Sequence, residues 1–358
     1  MIRVLVVDDS PTMRSLIRAI LESDPALQVV GEGYNGLDAV RLCHELQPDI
    51  ITMDIRMPDM NGYEAIHRIM SESPRPIVVL TSTVSDLELQ ISFKALEAGA
   101  LMVIGKPHGL PDRDPEAAQL IDQVRAMAGV KVVGRRRAVL PAAQRRTHRP
   151  GRPDPTSPRQ ARIIAIGAST GGPPALNLIL GQLATNIGVP VVIVQHISPG
   201  FVDGLARWLD ETTPLRVKVG EHREPLRPAM AYLAPDDRHL VIRGHDVITL
   251  EDTPPVDGHR PSATALLKSV ARTYGQAAVG VLLTGMGRDG ATGLRAMCEA
   301  GARTIAQDKA SCVVFGMPHQ AIALDAAREV LALDKIGRRL LEVVPIQPEI
   351  QDRTEGGA

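Results

Sequence analysis

Aromatic residues are scarce in this 358-residue chain, with one Trp, four Tyr and three Phe making up 2% of it. Cores must therefore be built from Val, Ile, Leu, Ala and Met, and base stacking on aromatic platforms is not available as a binding mode. Cysteine is almost as rare. Cys43, Cys298 and Cys312 are odd in number and form no CxxC pair, which argues against a disulfide framework and a cysteine zinc site and predicts small buried hydrophobes. Charge of one sign is also lacking: 40 Lys+Arg against 41 Asp+Glu give -1, so no global field selects nucleic acid or anionic lipid. No apolar stretch approaches the ~18–20 residues needed to span a bilayer. The start, Ile2-Arg3-Val4-Leu5-Val6-Val7-Asp8-Asp9, turns acidic too soon for a secretory signal, and a soluble cytoplasmic protein is expected. What remains is ordinary globular material, 44% hydrophobic and 23% charged, long enough for two domains.

One segment breaks this composition. Lys131, Arg135, Arg136, Arg137, Arg145, Arg146, Arg149, Arg152, Arg159 and Arg162 face a single acid, Asp154, among Pro141, Pro150, Pro153, Pro155 and Pro158. Proline removes backbone donors and disfavours helix before it, so this stretch reads as a solvated linker. Nothing near it resembles a groove-reading helix that would make it a nucleic-acid arm. Before it, Val4–Val7, Val29–Gly31, Ile50–Met53, Ile77–Leu80 and Leu101–Ile104 are near-continuous apolar runs, the mark of parallel strands covered on both faces. Five βα units predict a doubly wound α/β domain. After the linker the pattern restarts at Ile163–Gly167 and continues at Val189–Val194, Ala278–Leu283 and Thr304–Ala306. Gly244-His245-Asp246 between His239–Arg243 and Val247–Leu250 predicts an inserted β-hairpin.

In open α/β sheets, chemistry sits at the carboxyl ends of the strands. In the first domain those ends carry Asp8 and Asp9, Asp54, Thr81 and Lys106. Three converging carboxylates are costly unless a hard cation such as Mg²⁺ neutralises them, while Thr and Lys suit the oxygens of a phosphoryl group. Through these five side chains, residues 1–125 resemble the receiver domain of a two-component response regulator. The resemblance implies Asp54 as phosphoacceptor, Asp9 as direct metal ligand, Asp8 as acidic support, the Arg56 carbonyl as a further ligand, and Thr81 and Lys106 as switch residues. Val103 stands where many receivers carry an aromatic, and Arg56 places a basic side chain beside the acceptor.

The second domain opens with a strand and then Gly167-Ala168-Ser169-Thr170-Gly171-Gly172. A serine at a strand-to-helix turn stands above the sheet beside free helix N–H groups, although a plain N-cap serine fits the same pattern. A nucleophilic serine needs a base and an orienting acid. His196 follows a buried run at another strand end, and Asp289 lies in Thr284-Gly285-Met286-Gly287-Arg288-Asp289-Gly290. That loop also fits the G-x-G-x-x-G dinucleotide fingerprint. A late position in the chain and a carboxylate within the loop favour the acid role.

Residues 161–346 are similar to the catalytic domain of chemotaxis protein-glutamate methylesterases through Ile166–Gly172, Gln195-His196, Ala234–His239, His259-Arg260-Pro261-Ser262, Leu283–Gly290 and Ala310–Pro318. Residues 126–160 form the linker and 347–358 a flexible tail. The resemblance implies a doubly wound α/β fold with a hairpin, Ser169 as nucleophile, His196 as general base, Asp289 as its orienter, the Met286 N–H as oxyanion donor and Thr170 as a site neighbour. It also implies demethylation of glutamate γ-methyl esters, and deamidation of glutamines, on methyl-accepting chemotaxis receptors. Phosphorylation by the chemotaxis histidine kinase would release an occluding receiver. Mg²⁺ would serve the receiver and no cofactor the esterase. The chain would act as a monomer, without nucleic acid and without membrane insertion.

Overall fold

The structure, a computed structural model, describes residues 1–82, 93–130, 132, 161–244 and 246–347. The chain divides into two units, Met1–Ser157 and Pro158–Ala358. Most of the expected linker, residues 133–160, and residues 348–358 of the expected tail lie outside the described residues.

In the first unit, β1 (Ile2–Val7), β2 (Leu27–Gly33), β3 (Ile50–Asp54), β4 (Ile77–Thr81) and β5 (Met102–Gly105) form one parallel sheet in the order β2-β1-β3-β4-β5. Four helices have complete bounds: α1 (Pro11–Glu22), α2 (Gly36–Leu46), α3 (Gly62–Glu72) and α4 (Pro115–Ala128); residues 93–98 are helical as well. Local chemistry sets these starts. Ser10 accepts the Met13 N–H and Pro11 occupies the first turn of α1, where a missing N–H costs nothing. The helix then buries Ile17, Ile20 and Leu21, and each such side chain contributes about 1.5–3 kcal/mol. α4 runs to Ala128, because Ala117, Leu120, Val124 and Met127 keep one helical face buried.

The second unit holds a seven-stranded parallel sheet, ordered β14-β13-β12-β6-β7-β9-β8. Its strands are β6 (Ile163–Ala168), β7 (Val191–Gln195), β8 (Arg216–Val219), β9 (Met230–Leu233), β12 (Ala278–Leu282), β13 (Arg303–Gln307) and β14 (Glu329–Leu331). The predicted hairpin is present as a separate antiparallel pair, β10 (His239–Arg243) and β11 (Val247–Glu251). Helices α5 (Gly172–Gln182), α6 (Val202–Thr212), α7 (Ala263–Tyr274), α8 (Ala291–Glu299), α9 (Met317–Ala323) and α10 (Leu333–Val343) complete it. The chain moves outward from β6 through β7, then returns to lay β12 on the other side of β6. Strand order therefore reverses at β6, and the loops after β6, β7 and β12 meet there, where α/β sheets form their binding crevices.

Candidate functional site

In the first unit, β1 pairs with β3, which brings Asp8, Asp9 and Asp54 together with carboxylate oxygens within 4.8 Å of one another. Asp8 is 0% exposed and Asp54 5%. Lys106 Nζ lies 2.8 Å from Asp8 Oδ2 and 2.9 Å from Asp54 Oδ2. Only the second contact has hydrogen-bond geometry, which leaves Asp8 Oδ2 buried and ion-paired but without a hydrogen bond. Burial pushes the Asp54 carboxyl up, and Lys106 offsets this only in part. Burial works against the Lys106 charge as well, yet Asp54 and Asp8 hold its ammonium above the ordinary range.

An all-oxygen donor set of three clustered carboxylates, with one buried oxygen that accepts no hydrogen bond, fits a hard cation such as Mg²⁺. Asp9, which is exposed, and Arg56 line one cavity of about 790 Å³ with Met57, Pro58, Asn61 and Lys94, large enough for an ion that keeps several waters. The Arg56 N–H reaches Asp54 Oδ1 only at 3.4 Å. Thr81 ends β4, buried, and its carbonyl accepts the Lys106 N–H at 2.9 Å. Val103 is buried within β5.

In the second unit, the β6–β7 register pairs Ala168 with Gln195. Ser169 and His196 are the next residue on each strand, so they leave the sheet side by side, with neighbouring strands about 4.8 Å apart. The His196 N–H donates to the Ala168 carbonyl at 2.9 Å. Gln195, 4% exposed, donates through Nε2 to both the Ser169 carbonyl at 2.8 Å and the His196 carbonyl at 2.7 Å. One amide thus ties the two backbones together. Beyond Ser169 the chain turns into α5 through Gly171 at φ +76°, a left-handed conformation that glycine adopts without strain. From the other side, the Ser169 N–H donates to the Thr284 carbonyl at 3.1 Å. A Cβ on Gly285 would sit 2.7 Å from Ser169 Cβ, so only glycine lets that loop pass so close. The Met286 N–H has no hydrogen-bond partner among the described residues, and the Met286 side chain is exposed. Thr170 is buried, and its carbonyl accepts the Thr284 hydroxyl at 2.9 Å.

Asp289 is fully buried and sits 2.8 Å from His196 Nε2 through Oδ2. The same oxygen accepts the Ala263 N–H at 2.7 Å, while Oδ1 accepts the Ser262 hydroxyl at 2.7 Å and the Thr264 and Gly290 N–H groups at 2.9 Å. The carboxylate therefore lies at the N-terminus of α7, whose free N–H groups favour negative charge. Burial alone would raise its pKa, but His196, Ser262 and Thr264 outweigh burial and hold it at about 2. A permanent acceptor at Nε2 places the imidazole hydrogen there. Nδ1, buried with no hydrogen-bond partner, keeps its lone pair. In chymotrypsin-type triads the carboxylate holds Nδ1 instead and Nε2 acts on the serine.

Three contributors to this site escaped the sequence reading as functional residues. His259 stacks on the His196 ring, with centroids 3.9 Å apart and planes 12° from parallel. Gln195 ties the strand ends, and Ser262 holds Asp289. All three stood in segments singled out for resemblance, but their roles depend on contacts between segments distant in the chain.

Residues 164–340 match the family model described as CheB methylesterase, and residues 4–113 match the response regulator receiver domain. The chain is 48% identical, over 342 residues, to protein-glutamate methylesterase/protein-glutamine glutaminase 4 of Myxococcus xanthus (strain DK1622), covering 95% of this chain and 96% of that protein. It is 44% identical to protein-glutamate methylesterase/protein-glutamine glutaminase 1 of Syntrophus aciditrophicus (strain SB), covering 96% and 98%. The crystal structure of the Thermotoga maritima CheB methylesterase catalytic domain matches with a TM-score of 0.51 at 39% identity, covering 52% of this chain and 100% of that one. With this identity sustained along both sequences, and with receiver and esterase models matched in turn, the chain belongs to the CheB family of protein-glutamate methylesterases/protein-glutamine glutaminases.

Proposed function

We propose that this protein is a phosphorylation-activated serine hydrolase that removes methyl groups from glutamate γ-methyl esters on the cytoplasmic regions of chemoreceptors, and deamidates glutamines there, giving adaptation in chemotaxis. The observation that carries this reading is the 2.8 Å pair of His196 Nε2 with a buried, ionised Asp289, one strand end away from Ser169. His196 Nδ1 takes the Ser169 proton as Oγ attacks the ester carbonyl, forming a tetrahedral intermediate. Its oxyanion is met by the Met286 N–H, a donor without a partner among the described residues that follows Gly285, the residue packed against Ser169, with Thr170 at the edge of the site. The imidazolium then protonates the departing methoxide. Water, deprotonated by the same Nδ1, releases glutamate and restores the serine. With a glutamine substrate the leaving group is ammonia.

In the receiver, Asp54 is the phosphoacceptor, and the chemotaxis histidine kinase is its phosphodonor. Asp8, Asp9, Asp54 and the Arg56 carbonyl would hold Mg²⁺, whose charge offsets that of the phosphoryl oxygens. Lys106 and Thr81 donate hydrogen bonds to those oxygens, and phosphorylation raises esterase turnover.

The test is methanol release from methylated receptor membranes, with and without a small phosphodonor. Ser169→Ala is expected to lower turnover by about 10³–10⁶ with folding unchanged. Asp54→Asn is expected to abolish the phosphodonor's stimulation and leave the basal rate. Ester hydrolysis retained in the Ser169 variant would overturn the reading.

A further inference from the structure

We propose that Ser262 is a positioning residue of the esterase site, its hydroxyl fixing the Asp289 carboxylate and drawing off part of its charge. This sets how strongly Asp289 holds the proton on His196 Nε2. The inference rests on the proposed roles of Ser169, His196 and Asp289 and deepens them.

Ser262 is fully buried at the N-cap of α7. Its Oγ accepts the Ala265 N–H at 3.2 Å and lies 2.7 Å from Asp289 Oδ1. An ionised carboxylate offers no hydrogen, so the hydroxyl hydrogen belongs to the Asp289 contact. The serine backbone is held too. Its N–H donates to His239 Nδ1 at 3.2 Å, which requires the hydrogen of that buried ring to sit on Nε2, 3.2 Å from the Pro254 carbonyl. A continuous hydrogen-bonded line therefore runs from the Pro254 carbonyl through His239, Ser262 and Asp289 to His196.

Of the five donors on Asp289 among the described residues, three are backbone N–H groups and one is His196 itself. Ser262 is the single donor that a side-chain substitution can delete while the reacting imidazole stays in place. Oδ2 must face His196 for the Nε2 hydrogen to be held. Ser262 on Oδ1 helps prevent the carboxylate from rotating away, as outer partners of an active-site ligand commonly do. Each donor to Oδ1 also lowers the negative charge that Oδ2 presents to the imidazole.

The surroundings of the pair are otherwise fixed. His259 covers one face of His196. Asp257 accepts the Thr264 hydroxyl at 2.8 Å, and Thr264 Oγ1 in turn accepts the Gly290 N–H. Arg288 Nε lies 3.7 Å from Asp257. The substitution leaves each of these side chains in the sequence.

The experiment measures methanol release by the full-length chain from methylated receptor membranes across about pH 5–9, where the acid limb of kcat/KM reports protonation of the free enzyme's base. Ser262→Ala is expected to lower kcat by about 10–100-fold, with KM within about twofold. The acid limb should move to higher pH, because an Asp289 relieved of one donor stabilises the imidazolium more. Ser262→Thr, which keeps the hydroxyl, should restore both kcat and the limb. A role as helix cap alone would lower the melting temperature and leave the limb unmoved, and that result would overturn the proposal. Where the alanine variant does not fold, Ser262→Cys supplies the same comparison, its weak S–H donor placing the limb between the other two; a limb equal to wild type would again overturn it. Ser169→Ala separates the two readings. If it remains active, the nucleophile assignment fails and this proposal with it. If it is inactive while the Ser262→Ala limb stays fixed, only the role of Ser262 fails.

Discussion

Replacing Asp289 with asparagine keeps the shape of the side chain while changing the donor count around it. Oδ1 receives three donors and Oδ2 two, so the amide oxygen takes the Oδ1 position and the NH₂ faces His196 and the Ala263 N–H. Nε2 must then accept, which moves the imidazole hydrogen to Nδ1, the nitrogen proposed as base. A triad carboxylate replaced in this way loses about 10⁴ in kcat through the wrong tautomer, and a drop of that order is expected here. Stability falls as well. The carboxyl is depressed from 3.8 to about 2, which corresponds to about 2 kcal/mol of folding free energy. Because the folded-state value is the lower one, this contribution is fully present above about pH 4 and is lost as pH falls through about 2. The NH₂ against the Ala263 N–H costs about 1–3 kcal/mol, but the same donors underlie both effects. The total is therefore about 2–4 kcal/mol at neutral pH. Methanol release gives kcat, ¹⁵N spectra of the imidazole give the tautomer, and denaturant unfolding at pH 7 and near pH 2 gives the stability difference, which should shrink at the lower pH. A variant within about tenfold of wild-type kcat, or one that keeps the hydrogen on Nε2, would refute the reasoning.

Two further outcomes are expected from the same geometry. His259 packs flat on His196, and burial together with the neighbouring His196 holds it below its usual range. His259→Phe should keep kcat within a few-fold while His259→Ala loses about tenfold; equal impairment of both would mean that the imidazole itself, and not the stacked ring, is needed. Deleting residues 1–160 should raise basal methanol release by the remaining chain, and an unchanged rate would count against restraint by the receiver.

How much of the molecule is legible in its sequence tracks how local the determining forces are. The strands of both sheet centres are visible because burial on both faces writes an unbroken apolar run, as in Ile50–Met53 and Ile163–Gly167. β8 and β14 are not visible. They lie at the two edges of the sheet, and their sequences, Arg-Val-Lys-Val and Glu-Val-Leu, are too short or too interrupted by charge to stand out from loops. Ser169, His196 and Asp289 stand out as candidates because each directly follows or closely trails a strand, and strand ends gather at one rim. Which imidazole nitrogen faces the acid is not legible, since it depends on the approach of the β12 loop to the start of α7. Ser262 enters the sequence reading only as the last residue of the His259-Arg260-Pro261-Ser262 segment. Its bond to Asp289 spans 27 positions, and no periodicity encodes it.

The two units also show why burial alone does not assign a carboxylate its role. Asp54 and Asp289 are both nearly sealed from solvent, yet they are supported differently. Asp54 Oδ1 takes the Ile55 N–H at 2.7 Å, and Oδ2 takes the Lys106 ammonium. Lys106 stands on a long flexible side chain, so that oxygen can be freed without moving the sheet, and burial keeps the carboxylate form costly. Asp289 has donors at both oxygens, and three of the five are backbone groups that cannot move without unwinding α7 or the β12 loop. Freeing Oδ1 would strand two buried backbone N–H groups and the Ser262 hydroxyl, and freeing Oδ2 the Ala263 N–H and the His196 Nε2–H, at about 1–3 kcal/mol each. A carboxylate held in that way is suited to orient a base and unsuited to form a bond. One with a single displaceable partner on Oδ2, beside an oxygen cluster open to a cation, is suited to the reverse.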